Sequence, residues 1–565
     1  MTQFDLGRHR RPVSTGSPEA QAWFDVGLNW CYAFNHEEGL SAFERAIDYD
    51  ADCAMAYWGV AYAVGPFYNL TWQEMGEAEA RQATERGYAA LQLARRKANN
   101  AAESGSANTL ERALIEALGR RFQAAECPSP LVFAQWDDAY AAAMRGVHAD
   151  FPHDHDVTAL FVEALMMRTV RRLWDLKTGL PAANSDVVEA LGVCERAIAS
   201  ADAAGRDPHP ALVHLHIHLL EMSTMPERAR RSADVLGRLC PDGGHMNHMP
   251  GHIHVLCGQY EKAKQASLAA IAANERYRAQ STAAIYYLLS CCHDLHLLMF
   301  TCMFLGQLAP ARDAADGIRR LISRAIIALP GRPKFTQTVE GYHAMKSHVL
   351  VRFGRWQEII DEPMVEEPEL YVLTTAMQHY SKGVAHAALQ DFAKAEEERR
   401  LFHRHMAGIP PTRRFLSNPT TASLAVGAAL LDGEIAYHRG RHELAFDHLR
   451  RAVELDDNLS YTEPWAWMHP PRHALAALLL DRGHLAEAEQ VYRDDLGMSG
   501  RVQRCAQHPE NIWALHGLVE CLSRQGEVLE RAHLQVRLDE AMAKADVRIT
   551  SSCLCRPVEA PDCCH

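Results

Sequence analysis

The sequence predicts an all-α fold, a right-handed solenoid of antiparallel helix pairs curving around a concave groove. Two observations carry this. Apolar residues recur at three- and four-residue spacing along most of the 565 residues, while period-two strand patterns are almost absent. The periodic runs are also broken at intervals by a glycine or a turn dipeptide, as when two helices fold back on each other and stack on the next pair.

In chain order, Gly27-Leu28-Asn29-Trp30, then Gly39-Leu40, Phe43, Ala46 and the acidic end Asp48-Tyr49-Asp50, read as the first helix pair. Small residues at those offsets let the helices approach closely, the pattern of a tetratricopeptide repeat of about thirty-four residues. Further pairs turn at Gly258 within His252 to Ile271, at Gly306 within Leu295 to Ile318, and at Gly354, Gln390-Asp391, Gly440, Gly483 and Gly526. Asn99 to Asn108 reads as a polar connection and Pro181 to Asp186 as another. Gly408 to Thr421 holds Pro410, Pro411 and Pro419, cannot continue a helix, and is long enough to cross the groove as a lid. The expected organisation is N-terminal repeats over 1–180, histidine-rich central repeats over 181–330, C-terminal repeats over 331–545, and a cysteine-rich tail over 546–565.

Composition narrows the function classes. A hydrophobic fraction of 48% with 23% charged residues is that of a globular chain, and a formal charge of -13 offers no surface for neutralising phosphates, so no nucleic-acid partner is expected. No eighteen uninterrupted apolar residues occur, and Arg8, Arg10 and Arg11 precede a polar stretch rather than an apolar one. The expectation is a cytoplasmic protein without a membrane partner. Fifteen cysteines spread over a long chain suggest reduced thiols rather than disulfides. Glycine-rich phosphate loops and a Gly-x-Ser-x-Gly elbow are missing, which argues against nucleotide cofactors and serine hydrolysis.

The chemistry concentrates in the histidines. His214-x-x-x-His218-x-x-Glu221 lies within roughly sixty degrees of one helix face at about 100° per residue, whereas His216 points away. Gly243 to His252 reads as a turn feeding a helix with Pro250 in its first turn, His248 near the cap, His252 one turn in, and His245 in the entering turn; His254 faces elsewhere. A third helix carries His293, Asp294 and His296. Seven imidazoles and one carboxylate exceed what one four-coordinate ion can use, so two or more transition-metal ions are expected. Imidazole suits copper, iron and zinc, and copper comes first because helix-borne histidine pairs hold paired copper ions. Taken singly, any of these histidines reads more readily as a hydrogen-bonded core residue; three helical sets together favour metal.

These residues carry a resemblance. His209-Pro210-Ala211-Leu212-Val213-His214-Leu215-His216-Ile217-His218-Leu219-Leu220-Glu221, Gly244-His245-Met246-Asn247-His248-Met249-Pro250-Gly251-His252-Ile253 and His293-Asp294-Leu295-His296 are similar to motifs of a large, mainly bacterial group of tetratricopeptide-repeat proteins without a settled activity. The likeness runs through Phe34 to Glu38, Cys53 to Gly59, Gly65 to Asn69, Tyr461 to Arg472 and Pro509 to Leu518. The chain departs at Asp294, where asparagine is usual, at Ala211, where glycine is usual, and at His469, which replaces an aromatic and either adds a ligand or fills the same space.

The leading expectation is therefore a metalloenzyme with a multinuclear site of His214, His218, Glu221, His245, His248, His252, His293 and His296, performing dioxygen-activating oxidation on a small molecule or peptide in the groove. Glu221 acts as ligand or proton acceptor. The alternatives are a two-metal hydrolase and a non-enzymatic interaction scaffold. Asn35, His36, Trp58 and Asn69 either line the groove entrance or pack between helices. Glu463 and Arg472, with His469, either hold a polar substrate or, for the first two, pair with each other. Cys553 and Cys555, with Cys563-Cys564-His565, are either accessory thiols for a soft ion or redox gate, or a terminus without a role.

Overall fold

The computed structural model describes residues 4–103, 108–280 and 285–557. Helices follow one another along the described residues, and the only named strands there are the two-residue pair Arg414–Phe415 and Asn418–Pro419. The fold is all-α, built from antiparallel helix pairs of the tetratricopeptide-repeat type.

Local chemistry sets the helix limits. Ser17 Oγ accepts from the Ala20 amide at 3.1 Å ahead of Pro18–Tyr32, and Asn35, Asp154 and Asn511 cap His36–Tyr49, His155–Met167 and Ile512–Gln525 in the same way. The seven expected turns, at Gly258, Gly306, Gly354, Gln390, Gly440, Gly483 and Gly526, all have left-handed backbone. At Gly354 this conformation returns the Arg355 amide to the Leu350 carbonyl at 2.9 Å, satisfying a helix-end acceptor.

Two expectations on element limits are corrected. The helix Glu77–Glu103 runs through Asn99 and Asn100, because alanine-rich, polar sequence there keeps helical backbone without needing burial; Ser104, Gly105 and Ser106 lie outside the described residues. Pro250 sits inside the helix Gly244–Leu256, not in its first turn, so His245 and His248 are helical as well. An interior proline costs roughly 3 kcal/mol in an isolated helix, a cost offset here by a wholly buried neighbourhood that includes Met246, Met249 and Ile253.

The chain divides into two compact units, the first formed by Met1–Ile253 with Ala272–Ser281 and the second by His254–Ile271 with Thr282–His565. In the first, Phe24 packs on Phe43 with ring centroids 5.4 Å apart, and Gly27 and Gly59 admit the Phe43 ring where a Cβ would stand 2.8 and 2.4 Å from it. Close approach of the first three helices thus rests on those two glycines.

In the second unit the pairs Val372–Ala388 with Phe392–Ala407, Thr420–His438 with His442–Asp457, Pro471–Asp481 with Leu485–Asp495, and Ile512–Gln525 with Val528–Met542 pack in succession. Residues 408–419 are irregular as expected, ending in the small hairpin, whose Phe415 ring packs on Gly341 and Tyr342. Within the helix Ile285–Phe304 the stretch Tyr287–Phe304 is long and apolar enough to cross a membrane by length and composition, and 72% of it is buried as a core segment. The tail does not hang free through residue 557: Asp546 accepts from the Leu308 and Ala309 amides at 2.6 and 2.9 Å, and Ser552 Oγ donates to the His473 carbonyl at 3.1 Å.

Candidate metal centre

The helix Pro210–Leu220 opens with proline at its first position, where the missing amide costs nothing, and is buried along its whole length. His214 and His218, four residues apart, therefore stand one above the other on one face, at 1% and 3% exposure. The helix Gly244–Leu256 brings His245, His248 and His252 along one side of itself at intervals of three and four residues.

These five imidazoles meet inside the first unit. One ring nitrogen from each of His214, His218 and His245 lies within 4.8 Å of the others, a span that three donors to one ion need. His245 stacks toward His248 at 6.1 Å, and His248 Nε2 lies 2.8 Å from His252 Nε2. The two rings share a hydrogen bond at this distance, and two tetrahedral donors about 2.0 Å from one ion stand about 3.3 Å apart, so an ion that displaces the shared proton needs only a small opening of the pair.

Hydrogen bonds on the far side of the rings set their tautomers. His214 Nδ1 donates to the Tyr32 carbonyl at 2.9 Å, which turns its Nε2 lone pair inward. Glu221 accepts from His218 Nδ1 through Oε1 at 2.8 Å and from His252 Nδ1 through Oε2 at 2.7 Å. Nε2 of His214 and of His218 are buried without a hydrogen-bond partner. Orienting a ligand imidazole through its other nitrogen is the usual support of a metal site. Where the sequence suggested Glu221 as a donor or proton acceptor, both its oxygens are already engaged, and it stands behind the rings, linking a histidine of one group to a histidine of the other.

Electrostatics agree with this arrangement. Burial alone would raise the Glu221 carboxyl, but the adjoining His218 and His252, through charge and hydrogen bonds, bring it down to about 2, so it is ionised. Burial, with His218 alongside, holds His214 well below the ordinary histidine range, so its inward nitrogen stays unprotonated and able to bind a cation.

Three aromatic residues that the sequence did not single out complete the site. The Phe34 ring lies 4.4 Å from His214, 5.0 Å from His245 and 5.7 Å from His218, and Tyr68 lies 4.6 Å from His218. Phe34 holds left-handed backbone at φ 59°, rare for a bulky side chain, and backbone strain of this kind clusters at functional sites. Tyr32, besides its carbonyl, sends its hydroxyl to Asp156 at 2.6 Å, where His9 and His209 at 3.0 Å and Arg11 at 3.1 Å also converge. The available signal was adjacency: Phe34 and Tyr68 neighbour Asn35, His36 and Asn69 in the shared segments, but aromatic spacing there reads as packing.

His216 turns away to Ser232 at 2.9 Å, and His254 reaches Gln259 at 3.0 Å within the second unit. His293 and His296 belong to the second unit, where His296 is fully buried against Tyr342 and Phe415 with both ring nitrogens lacking a hydrogen-bond partner. Asn35 caps a helix, His36 donates to the Ala63 carbonyl at 3.0 Å and stacks on Phe67, and Trp58 stacks on Tyr62, while Asn69 is half-buried. These three packed residues serve the helix pairs.

In the second unit Arg472 grips Asp457 at 2.7 and 2.6 Å rather than Glu463, because Asp457 ends the preceding helix within reach of its fork. His469 meets His348 at 3.1 Å and the Tyr380 hydroxyl at 3.3 Å. Cys553 and Cys555 form a disulfide, against the expectation of reduced thiols, since a two-residue separation with Cα atoms 5.3 Å apart brings the sulfurs together. Cys563, Cys564 and His565 lie outside the described residues.

No protein-family model and no curated protein matches the chain. Solved structures do overlap it. The human IFIT1 dimer with PPP-AAAA aligns at 10% identity over 92% of this chain and 89% of its own with a TM-score of 0.29. Yeast Tom70 aligns at 10% identity over 93% and 98% with a TM-score of 0.28, and the Cut9-Hcn1 hetero-tetramer of the APC/C at 14% over 78% and 74% with 0.27.

Proposed function

We propose that the first unit is a transition-metal centre for two ions, copper ahead of iron or zinc, and that the protein is an oxidising enzyme. His214, His218 and His245 hold one ion, and His248 with His252 contributes to the second. The observation that carries this reading is the pair of buried, partnerless Nε2 atoms on His214 and His218, aimed inward by hydrogen bonds to Tyr32 and Glu221. Each unsatisfied buried polar atom costs about 1–3 kcal/mol, and here two of them stand on one helix face, within reach of a third imidazole, where a shared cation would satisfy them.

An all-imidazole donor set favours copper over magnesium or calcium. Bound there, copper ions supply one-electron redox steps through which dioxygen is reduced as an organic substrate is oxidised. The protein's part is to orient the rings, keep the inward nitrogen of His214 unprotonated, and limit water through Phe34 and Tyr68. Oxidation is preferred to two-metal hydrolysis because Glu221 already accepts two hydrogen bonds and is not available as a general base. The bacterial tetratricopeptide-repeat group with the shared histidine motifs is proposed as the chain's family, since those motifs contribute all five rings.

Elemental analysis of untagged protein, with optical and paramagnetic spectra, tests the reading. Stoichiometric copper or iron, reduced by His218→Ala and by His252→Ala separately, is the expected result. Absence of any stoichiometric transition metal after reconstitution refutes it.

A further inference from the structure

The second unit carries a separate constellation at the end of the described chain. A sulfur from each of Cys553 and Cys555 and a carboxylate oxygen of Glu434 lie within 4.8 Å of one another. Glu434 projects from the helix Thr420–His438, is 3% exposed, and leaves Oε2 buried without a hydrogen-bond partner. His438, one turn further on, hydrogen bonds with the Cys555 backbone. A buried carboxyl oxygen without a hydrogen-bond partner is costly, and burial raises this carboxyl to about 8 with no neighbouring cation to bring it back down.

The segment is held firmly in register with that helix. Arg352 donates to the Ser552 carbonyl at 3.2 Å, the Tyr492 hydroxyl and Ser552 Oγ share a hydrogen bond at 2.6 Å, and Arg556 reaches both Glu520 oxygens at 2.9 Å and Asp481 at 3.2 Å. These bonds flank the two cysteines on both sides. Breaking the disulfide therefore leaves the sulfurs beside Glu434.

We propose that Cys553, Cys555 and Glu434 form a redox-gated site for a thiophilic divalent cation of the zinc class, closed when the cysteines are oxidised and open when they are reduced. A dithiol reductant opens it: the reductant's own S–S bond forms, the Cys553–Cys555 bond breaks, and two electrons and two protons pass to the protein as two thiols. Binding the cation then releases the two thiol protons, and the proton that burial keeps on Glu434, to solvent, leaving two thiolates and one carboxylate as donors. Two thiolates on one zinc ion stand about 3.8 Å apart, a modest opening for a Cys-x-Cys segment with its Cα atoms at 5.3 Å. The remaining coordination position goes to water or to His438. This site shares no residue with the histidine centre, and its thiolates give it a different spectroscopic signature.

Cobalt(II) is the probe, added to full-length protein carrying Cys563→Ser and Cys564→Ser, either oxidised or reduced with dithiothreitol and desalted. The expected result is a sulfur-to-cobalt charge-transfer absorption, saturating at one equivalent, in the reduced protein only. It disappears in Cys553→Ser and in Cys555→Ser, and cobalt affinity falls about tenfold or more in the isosteric Glu434→Gln, the scale of losing a ligand's support. No charge-transfer band in the reduced protein, a band that persists in Cys555→Ser, or unchanged affinity in Glu434→Gln each overturns the proposal. Imidazole ligation gives no such band, so failure here leaves the histidine centre untouched and the converse also holds.

Discussion

Replacing Glu221 with glutamine changes one atom and removes half of what this residue does. The carboxylate accepts from His218 Nδ1 at 2.8 Å and from His252 Nδ1 at 2.7 Å. A glutamine amide has one oxygen, so one imidazole must lose its partner or switch tautomer and turn a protonated Nε2 toward the ion. Loss of such a supporting hydrogen bond typically weakens metal binding 10–100-fold, about 1.4–2.8 kcal/mol. Because His218 and His252 fall in different groups, the proposed two-ion centre is expected to lose one ion before the other. Competition against a chromogenic chelator reads this directly, with His218→Ala as the reference for outright ligand loss. In the metal-free protein Glu221→Ala strands two buried N–H groups, a cost of roughly 2–6 kcal/mol readable by denaturant unfolding. The pH dependence carries a defined sign. With the folded carboxyl at about 2 and the unfolded one at 4.5, its stabilisation is complete above 4.5 and is lost as pH falls towards about 2, on the order of 3 kcal/mol. Two ions bound to Glu221→Gln with wild-type affinity would refute the reasoning that the carboxylate orients both groups.

Asp156→Ala removes one of the two carboxylates that hold the buried Arg11, Asp154 remaining, together with the acceptor shared by His9, His209 and Tyr32; a loss of about 1.5–3 kcal/mol is expected, with new protease cleavage near residues 8–11, and intact resistance there would count against this anchor. Phe34→Gly relieves about 1 kcal/mol of left-handed strain while uncovering three imidazoles, so chelator-driven metal removal speeds up; an unchanged rate means the ring is no barrier. His36 is held down at about 4, chiefly by burial, so the unfolded chain takes its proton first and stability present above pH 6.5 falls by about 3 kcal/mol as pH drops towards 4. In His36→Gln the slope of unfolding free energy against pH between those values becomes shallower by about one proton, and an identical slope would exclude this histidine as its source.

Much of the scaffold is legible in the chain because its causes are local. A glycine or glutamine after a periodic run adopts left-handed backbone at Gly258, Gly306, Gly354, Gln390, Gly440, Gly483 and Gly526, since the helix end needs its carbonyls answered within a few residues. Proline positions alone do not decide so much. Pro18 and Pro210 open helices, but Pro250 lies inside one, because tertiary burial outweighs a local preference. The same limit explains Asn99 and Asn100, whose polar surroundings suggest a connection although nothing in them forbids a helix.

For the candidate site, the sequence by itself determined which faces carry imidazole: spacing of four aligns His214 with His218 and His248 with His252, and turns His216 and His254 elsewhere. Tertiary structure alone decided what those faces meet. Periodicity is a property of one helix, whereas the Tyr32 carbonyl that orients His214 lies 182 residues away, and the carboxylate that orients His252 lies 31 away. The role of Glu221 follows from the same cause. On its own helix it is one more inward donor, and only the approach of a second helix engages its other oxygen and turns it from a ligand into the brace between two groups of histidines.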